Sequence, residues 1–263
     1  MTGEEHSKTI IVTGASQGLG HCIVRNILND YSNANVVLIA RNHALLTGFY
    51  NGLSENDKLR VLIIKGDVTN KDLIISAINQ TILKFGKIDG IIFNAGMIEP
   101  VGHLNEIDYS IEKMKNLFDL NYFSIVMFIN ELLIRIDKNQ SINFIFVSSG
   151  ASKRGIDGWL AYGSSKAALN QLCKQIHDEM YPRIKCVSIA PGVVNTDMQR
   201  EIRENLIGKM ESKSHDNFIN LYKNGELLDG MVVGKVYSRL IVEGIEPASD
   251  ICGEYIRWND SRL

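Results

Sequence analysis

Residues 8–20 read KTIIVTGASQGLG, and this stretch decides the fold. Its first half is rich in β-branched residues, which is typical of a strand. Its second half is a glycine-rich turn, and Ile23, Val24, Ile27 and Leu28 then recur at helical spacing. Strand, glycine turn and helix form the context in which backbone amides at a helix N-terminus bind the phosphates of a dinucleotide.

The three glycines of this turn have different expected roles. Gly14 lets the chain turn sharply, Gly18 lets the backbone approach a pyrophosphate, and Gly20 lets the helix pack closely on the strand. A glycine-rich turn alone is weak support, because many such turns bind nothing. Its position directly after the first strand strengthens the prediction.

Outward from this stretch, strand-like and helix-like segments alternate almost to the end of the chain. The predicted strands are 9–13, 35–40, 60–65, 90–93, 143–147, 185–190 and one near 253–256. Several are apolar at consecutive positions, as expected of strands buried on both faces in a parallel sheet. The sequence therefore predicts an α/β protein with one domain over residues 1–263, a doubly wound seven-stranded parallel sheet with helices on both faces.

Tyr162 and Lys166 stand four residues apart, and Ser149 precedes the tyrosine by thirteen residues. In a helix, residues i and i+4 lie on the same face, so the phenol and the ammonium can face one small volume. A lysine beside a phenol is expected to lower the pKa of the tyrosine, which prepares it for proton transfer. The alternative is an incidental pair on a surface helix.

Composition narrows the classes of function. The 263 residues are 45% apolar and carry a net charge of −2, which excludes a broad positive field for nucleic acid. No apolar stretch approaches the ~20 residues of a membrane span. The polar residues 1–8 resemble neither a signal peptide nor a transit peptide, so a cytoplasmic protein is expected. Six histidines without metal-ligand spacing predict no metal site.

Residues 195–229 are helical in pattern but unusually polar, and they follow Pro191-Gly192. An excursion at the carboxyl end of a parallel strand lies where open α/β sheets bind ligands. A substrate lid is one interpretation of this segment, and a solvated helical insertion is the other.

Together these motifs resemble the short-chain dehydrogenase/reductase family over residues 8–258. The motifs that carry the resemblance are Thr13-Gly14-x-x-x-Gly18-x-Gly20, Asn94-Ala95-Gly96, Asn121, Ser149, Tyr162-x-x-x-Lys166 and Pro191-Gly192. Within this Rossmann-fold family the chain is similar to fungal benzil reductases that form (S)-benzoin, a branch similar to sepiapterin reductases. Residues 94–100, 147–152, 158–163, 189–194 and 227–229 carry that narrower likeness.

The resemblance implies four catalytic residues. Tyr162 donates a proton to the carbonyl oxygen, and Lys166 lowers its pKa and binds the nicotinamide ribose. Ser149 holds the carbonyl oxygen, although the adjacent Ser148 leaves the choice of serine open. Asn121 supports a water chain that returns protons through Lys166, or else it only satisfies a buried backbone group.

The resemblance also implies the residues that bind the cofactor: Gly14, Ser16, Gln17, Gly18, Leu19, Gly20, Arg41, Asp67, Val68, Asn94, Ala95, Gly96, Tyr162, Lys166, Pro191, Gly192, Val194 and Thr196. Asp67 would bind the adenine, or it could cap the following helix. The second strand ends in Ala40 rather than in an acid, and Arg41 can pair with a 2′-phosphate, which favours NADP(H) over NAD(H). Gln17 tempers this preference, because many NADPH-using relatives carry a basic residue within the glycine loop.

These observations favour an NADPH-dependent carbonyl reductase that acts on a small apolar ketone or diketone resembling benzil. An NAD(P)-dependent alcohol or steroid dehydrogenase is the second hypothesis, and a catalytically silent cofactor-binding regulator is the third. The resemblance implies pairing through the helices around 108–138 and 158–180, so a homodimer or homotetramer is expected.

Overall fold

A computed structural model describes residues 7–106, 109–245 and 250–263. Seven parallel strands form one sheet in the order β3-β2-β1-β4-β5-β6-β7. The strands are β1 (Lys8–Thr13), β2 (Ala34–Ala40), β3 (Val61–Lys65), β4 (Gly90–Phe93), β5 (Ile142–Val147), β6 (Ile184–Ala190) and β7 (Tyr255–Arg257). The predicted doubly wound parallel sheet is confirmed, and only the short last strand lies about two residues later than predicted.

Helices cover both faces of this sheet. They are α1 (Gly18–Asp30), α2 (His43–Asn51), α3 (Glu55–Leu59), α4 (Lys71–Phe85), α5 (Ile111–Phe118), α6 (Ser124–Arg135), α7 (Leu160–Met180), α8 (Asp197–Asn205), α9 (Ser212–Lys223) and α10 (Gly230–Glu243). A π-helical turn, Asp119–Phe123, joins α5 to α6, and a 3₁₀ turn, Gly150–Ser152, follows β5.

The uninterrupted apolar runs of the strands serve two cores. In β1, Ile10 and Val12 face one core with α1 and α10, whereas Ile11 faces the other with α4, α6 and α7. Successive side chains of a strand point to opposite faces, so a strand covered on both sides needs apolar residues throughout. The β-branched run that marked the first strand in the sequence is therefore the signature of this double burial.

The chain reverses its direction across the sheet at β1. It moves outward through β2 and β3, and then β4 pairs with the other side of β1. Loops that leave the carboxyl ends of β1 and β4 therefore diverge and open a crevice between them, which is where open α/β sheets bind ligands.

One helical stretch, Ile111–Arg135, is long and apolar enough to cross a membrane by length and composition. The sequence analysis had expected no such stretch. Ile125, Phe128 and Leu132 of this stretch are buried against the sheet. Because the core helix of a globular protein passes the same test, this property is weak support for a membrane span.

Two sequence-based expectations lie partly outside the described residues. Residues 1–6, most of the polar N-terminal segment, are among those that the structure does not describe. Residue 108, the start of the first helix expected at a dimer interface, is another.

Candidate active site

The glycine turn after β1 adopts the geometry predicted for it. Gly14 and Gly18 have φ of +65° and +56°, a left-handed conformation that favours glycine. A Cβ on Gly20 would lie 2.5 Å from the Gly14 carbonyl oxygen, so helix and turn approach each other closely. No side chain caps the N-terminus of α1, which leaves its first amides without a side-chain acceptor.

Asn94 fastens the loop after β4 to this turn. Its Nδ2 donates to the carbonyl oxygens of Thr13 at 3.0 Å and Gly14 at 3.1 Å, and its backbone amide donates to Thr13 Oγ1 at 3.0 Å. The sequence placed Asn94 at a strand end but gave no partner for it. The structure shows that its amide holds the two sides of the crevice in register.

The crevice opens into a cavity of about 970 Å³, which is large enough for a dinucleotide with a small substrate. Most residues with a predicted cofactor or catalytic role line it: Gly14, Ser16, Gln17, Gly18, Leu19, Arg41, Asp67, Val68, Asn94, Ala95, Gly96, Ser149, Tyr162, Lys166, Pro191, Gly192, Val194 and Thr196. Gly20 and Asn121 do not line it. Gly20 contributes through close packing instead, and Asn121 lies behind the cavity wall.

Tyr162 and Lys166 lie on α7 and are both buried, at 8% and 3% exposure. Lys166 Nζ lies 5.7 Å from the centre of the Tyr162 ring and donates to the Val147 carbonyl oxygen at 2.7 Å. Ser149 lies on the turn after β5, and its hydroxyl is near the Tyr162 phenol. The predicted juxtaposition of phenol, ammonium and serine hydroxyl is therefore present in one wall of the cavity.

Burial dominates the acidity of both groups on α7. It raises the pKa of Tyr162 to about 12, opposed by the hydrogen bond with Ser149, and it lowers the pKa of Lys166 to about 8. The prediction that Lys166 lowers the pKa of Tyr162 is wrong for this structure. The ammonium is bound to a backbone carbonyl, and loss of solvent around the phenol outweighs its attraction.

The buried Lys166 makes stability depend on pH. Its folded pKa of about 8 lies below the ordinary 10.5, so the folded state loses this proton first and gains stability as pH rises from 8 to 10.5. Relative to Lys166→Met, we expect the free energy of unfolding of the wild type to rise by about 3 kcal/mol between pH 7 and pH 10.5.

Urea unfolding of both proteins at the two pH values measures this change. Other titrating groups are shared by the two proteins and cancel in the difference. A difference that stays constant between pH 7 and pH 10.5 would contradict the lowered pKa of Lys166.

Asn121 occupies the π-helical turn between α5 and α6 and is fully buried. It accepts from the Met97 amide and donates to the Met97 carbonyl, both at 2.9 Å, and it donates to Ser165 Oγ at 3.2 Å. Asn121 therefore satisfies the buried backbone groups of Met97, as one of the two sequence-based interpretations expected. A Cβ on Gly96 would lie 3.2 Å from Asn121 Oδ1 and 3.6 Å from Lys166 Nζ, so both polar groups face Gly96.

Two alternatives left open by the sequence are now distinguished. Ser148 is buried and donates to Asn170 Oδ1 at 2.6 Å, whereas Ser149 meets Tyr162. The cap of α4 is Asn70, whose side chain accepts from the amides of residues 72 and 73. Asp67 is therefore not that cap, and its carboxylate instead accepts from the Thr69 amide at 2.9 Å.

The polar segment 195–229 folds over the cavity as the helices α8 and α9. Several of its apolar residues are buried, among them Ile202 and Phe218, whereas Ile207 is exposed. The Phe218 ring stacks on Trp159 with 5.4 Å between ring centres, and Trp159 meets the Tyr162 ring edge-on at 5.5 Å. The segment is thus packed against the wall that carries Tyr162.

A polar cluster that the sequence analysis missed joins this segment to two other loops. His103 contacts Glu106 at 2.8 Å through Nδ1 and Asp157 at 2.9 Å through Nε2. Asp157 also accepts from the backbone amide of Glu211, at the start of α9. These hydrogen bonds raise the pKa of His103 and lower that of Asp157. Glycines in the same loops bring their backbones close, since Gly102 N donates to Gly158 O at 2.9 Å.

Further residues line the cavity besides those with a predicted cofactor or catalytic role. The apolar ones are Ile98, Ile156, Met198, Ile202, Phe218 and Leu221, and the basic ones are Lys153, Arg154 and Arg257. Position alone suggests Ile98, which follows the Asn94-Ala95-Gly96 motif, and the residues of the segment 195–229. The others lie on turns and strand ends with no pattern of their own.

This combination of fold and site is that of a dinucleotide-binding oxidoreductase. Residues 8–207 match the family model of short chain dehydrogenases, so the chain belongs to the short-chain dehydrogenase/reductase family. Members of this family bind NAD(H) or NADP(H).

Similar proteins cover nearly the whole chain. Benzil reductase ((S)-benzoin forming) of Saccharomyces cerevisiae is 37% identical over 97% of this chain and 97% of that protein. The crystal structure of the KRED1-Pglu enzyme is 39% identical, with a TM-score of 0.88 over 95% of this chain and 100% of that one. A Saccharomyces cerevisiae structure described as a cytoplasmic protein with unknown function is 33% identical, with a TM-score of 0.77 over 97% of both chains.

Proposed function

We propose that this chain is an NADPH-dependent carbonyl reductase of small, largely apolar ketones and diketones, with benzil as the representative substrate. The observation that carries the proposal is the placement of Tyr162, Ser149 and Lys166 in the wall of a cavity that also presents apolar side chains beside Tyr162. The similarity to a benzil reductase supports the same class of substrate.

When bound, NADPH supplies the hydride for the carbonyl carbon. Tyr162 then gives its phenolic proton to the carbonyl oxygen, which becomes a hydroxyl, and Ser149 holds that oxygen while negative charge develops on it. Lys166 returns a proton to the phenol through water, and Asn121, whose Oδ1 faces Gly96 as Lys166 Nζ does, supports that water chain. With a pKa of about 12, the Tyr162 phenol is protonated near pH 7, as a proton donor must be.

The residues around the glycine turn fit a dinucleotide. The N-terminus of α1 is uncapped and faces the cavity, whereas Asn, Ser, Thr or Asp side chains cap α2, α4, α5, α8 and α10. Free amides and the positive end of the helix dipole suit a pyrophosphate. Gly14 and Gly18 give that group room. Asp67 and Val68 line the cavity after β3 and would bind the adenine, and the cavity is also lined by Pro191, Gly192, Val194 and Thr196, which follow β6.

Arg41 gives the preference for NADPH in this proposal. It is exposed in the cavity directly after β2, where an acid would instead hold the ribose hydroxyls of NAD. We expect Arg41→Ala to weaken NADPH binding by about tenfold and to leave NADH binding within about twofold, since one charge-assisted contact to a phosphate is lost. Dissociation constants from nicotinamide fluorescence measure both. Equal loss for the two cofactors would contradict this role.

The substrate would lie against apolar side chains next to Tyr162. Ile98, Ile156 and Trp159 come from the body of the protein, and Ile202 and Phe218 come from the segment 195–229. We propose that this segment acts as a lid. Trp159 Nε1 and Gln199 Oε1 are buried where the lid meets the body, and neither has a hydrogen-bond partner among the described residues. In this proposal, opening of the lid admits the substrate to the apolar side chains beside Tyr162.

Incubation of the purified chain with NADPH and benzil tests the proposed function. Formation of benzoin in proportion to the NADPH oxidised is the expected result. Binding of NADPH without oxidation, over benzil and a panel of aliphatic and aryl ketones, would favour the cofactor-binding regulator instead. Faster oxidation of alcohols with NAD than reduction of ketones with NADPH would favour the dehydrogenase.

Association and location follow the same proposal. Phe123 and Leu160, at the start of the helices expected to pair, are 55% and 45% exposed, and Ile111 is 53% exposed. Exposed apolar residues on neighbouring helices support a homodimer or homotetramer formed through α5, α6 and α7. Sedimentation equilibrium of the wild type and of Phe123→Glu distinguishes this from a monomer.

A cytoplasmic location is proposed by similarity to the yeast protein so described.

A further inference from the structure

A group of positive side chains lies at one end of the cavity. Lys153, Arg154 and Arg257 all line the cavity, and all three are exposed. Lys153 and Arg154 follow the turn that begins after Ser149, and Arg257 is the last residue of β7. Together, Lys153, Arg154 and Arg257 form a cationic rim.

The cationic rim brings together two segments that meet at Tyr255. Lys153 Nζ lies 5.2 Å from the centre of the Tyr255 ring. Tyr255 and Arg257 stand two residues apart on β7, so they lie on the same face of the strand, about 7 Å apart. Arg154 is adjacent to Lys153. The positive side chains of these two segments therefore lie at the same end of the cavity.

Protein carboxylates do not neutralise the cationic rim. Within the part of the chain that the structure describes, none of its members forms an ion pair. The acidic residues of the same cavity are engaged elsewhere or distant. Asp197 pairs with Arg200 at 2.5 Å, Glu226 accepts from Asn224 at 3.1 Å, and Asp67 follows β3 at the other end of the sheet. The rim thus presents net positive charge to a ligand.

The position of the rim assigns it to the substrate rather than to the cofactor phosphates. Arg41 follows β2, whereas Arg257 ends β7, and five strand spacings separate these strands. At about 4.8 Å per spacing, this is about 24 Å. Lys153 instead lies only four residues after Ser149, which holds the substrate carbonyl in the proposed function.

We propose that the cationic rim binds a carboxylate of the substrate, so that this chain reduces aryl oxo acids. The ketone oxygen lies at Tyr162 and Ser149, the aryl group lies against Trp159, and the carboxylate lies at the rim. The ketone takes up one hydride and one proton and becomes a hydroxy acid, while the carboxylate is unchanged. This inference rests on the proposed carbonyl reduction and names the substrate class of the same site.

Matched acids and esters test the inference. Benzoylformate and 4-oxo-4-phenylbutyrate place the carboxylate at two distances from the ketone, and their methyl esters lack the charge. The wild type should reduce at least one acid with a higher kcat/KM than its ester. The triple variant Lys153→Gln, Arg154→Gln, Arg257→Gln should lower kcat/KM for that acid about fivefold or more, with the ester changed less than twofold. Added salt should lower kcat/KM for the acid and leave kcat/KM for the ester unchanged.

A control variant and a binding measurement complete the test. Lys138→Gln removes an exposed cation that does not line the cavity. This variant should leave kcat/KM unchanged for both the acid and the ester. The proposed role of the cationic rim would be overturned if the triple variant lowered kcat/KM equally for acid and ester. Reduction of benzil without reduction of either acid would overturn it as well. So would a weaker NADPH dissociation constant in the triple variant, since the rim would then serve the cofactor. Failure with benzil as well would instead contradict the proposed function.

Discussion

Tyr162→Phe should lower kcat for benzil reduction by a factor of about 10² to 10⁴, because the substitution removes the proton donor alone. The aromatic ring stays, so its edge-on contact with Trp159 and its burial at 8% exposure are kept. With no phenol at the carbonyl oxygen, the developing negative charge would have to take a proton from water. Steady-state turnover with saturating NADPH and benzil measures the loss.

Two matched controls make this prediction specific. The NADPH dissociation constant of Tyr162→Phe should stay within about twofold of the wild type, since the cofactor phosphates would bind at the glycine turn, away from the phenol. Ser149→Ala should also reduce kcat, whereas Ser148→Ala should affect stability rather than kcat, because Ser148 bonds to Asn170. Wild-type turnover by Tyr162→Phe would contradict the assignment of the proton donor.

Gly20→Ala should destabilise the protein and weaken cofactor binding, although alanine is the better helix former. An added Cβ would lie 2.5 Å from both the Gly14 carbonyl oxygen and Asn94 Nδ2. The first of these is backbone of the phosphate-binding turn, so the turn itself must move. We expect a loss of about 1–3 kcal/mol in the free energy of unfolding, together with at least tenfold weaker NADPH binding.

Gly48→Ala is the matched control for this substitution. Gly48 also lies within a helix, α2, but a Cβ there would meet nothing within 4 Å. The same change should therefore stabilise the protein by about 0.5–1 kcal/mol through helix propensity and leave NADPH binding unchanged. If Gly20→Ala behaved like Gly48→Ala, the close packing of α1 on the glycine turn would be irrelevant to stability and to the cofactor.

The fold and the outline of the site could be predicted because local patterns record them. Ile10, Ile11 and Val12 are consecutive apolar residues because alternate side chains of β1 enter different cores. Tyr162 and Lys166 lie together because helical geometry fixes their relation. Asn94 and Pro191 lie at the cavity because parallel strands share one carboxyl edge.

What the sequence could not predict depends on contacts between distant segments. The raised pKa of Tyr162 comes from its burial beside Trp159, on which Phe218 stacks, and spacing does not record this burial. His103 and Asp157 meet across 54 residues of sequence, in loops without periodicity. The cationic rim likewise joins a turn after β5 to the end of β7, two strands away in the sheet. Strand order, rather than any local pattern, brings those side chains together.

The claim on which the account depends is that Tyr162 and Ser149 hold the ketone oxygen within this cavity. A crystal structure of the chain with NADPH and benzil bound tests it most directly. We predict the carbonyl oxygen within about 2.6–3.2 Å of both Tyr162 Oη and Ser149 Oγ. A diketone bound elsewhere in the cavity, with its carbonyl oxygens turned away from these two hydroxyls, would contradict the proposed reaction.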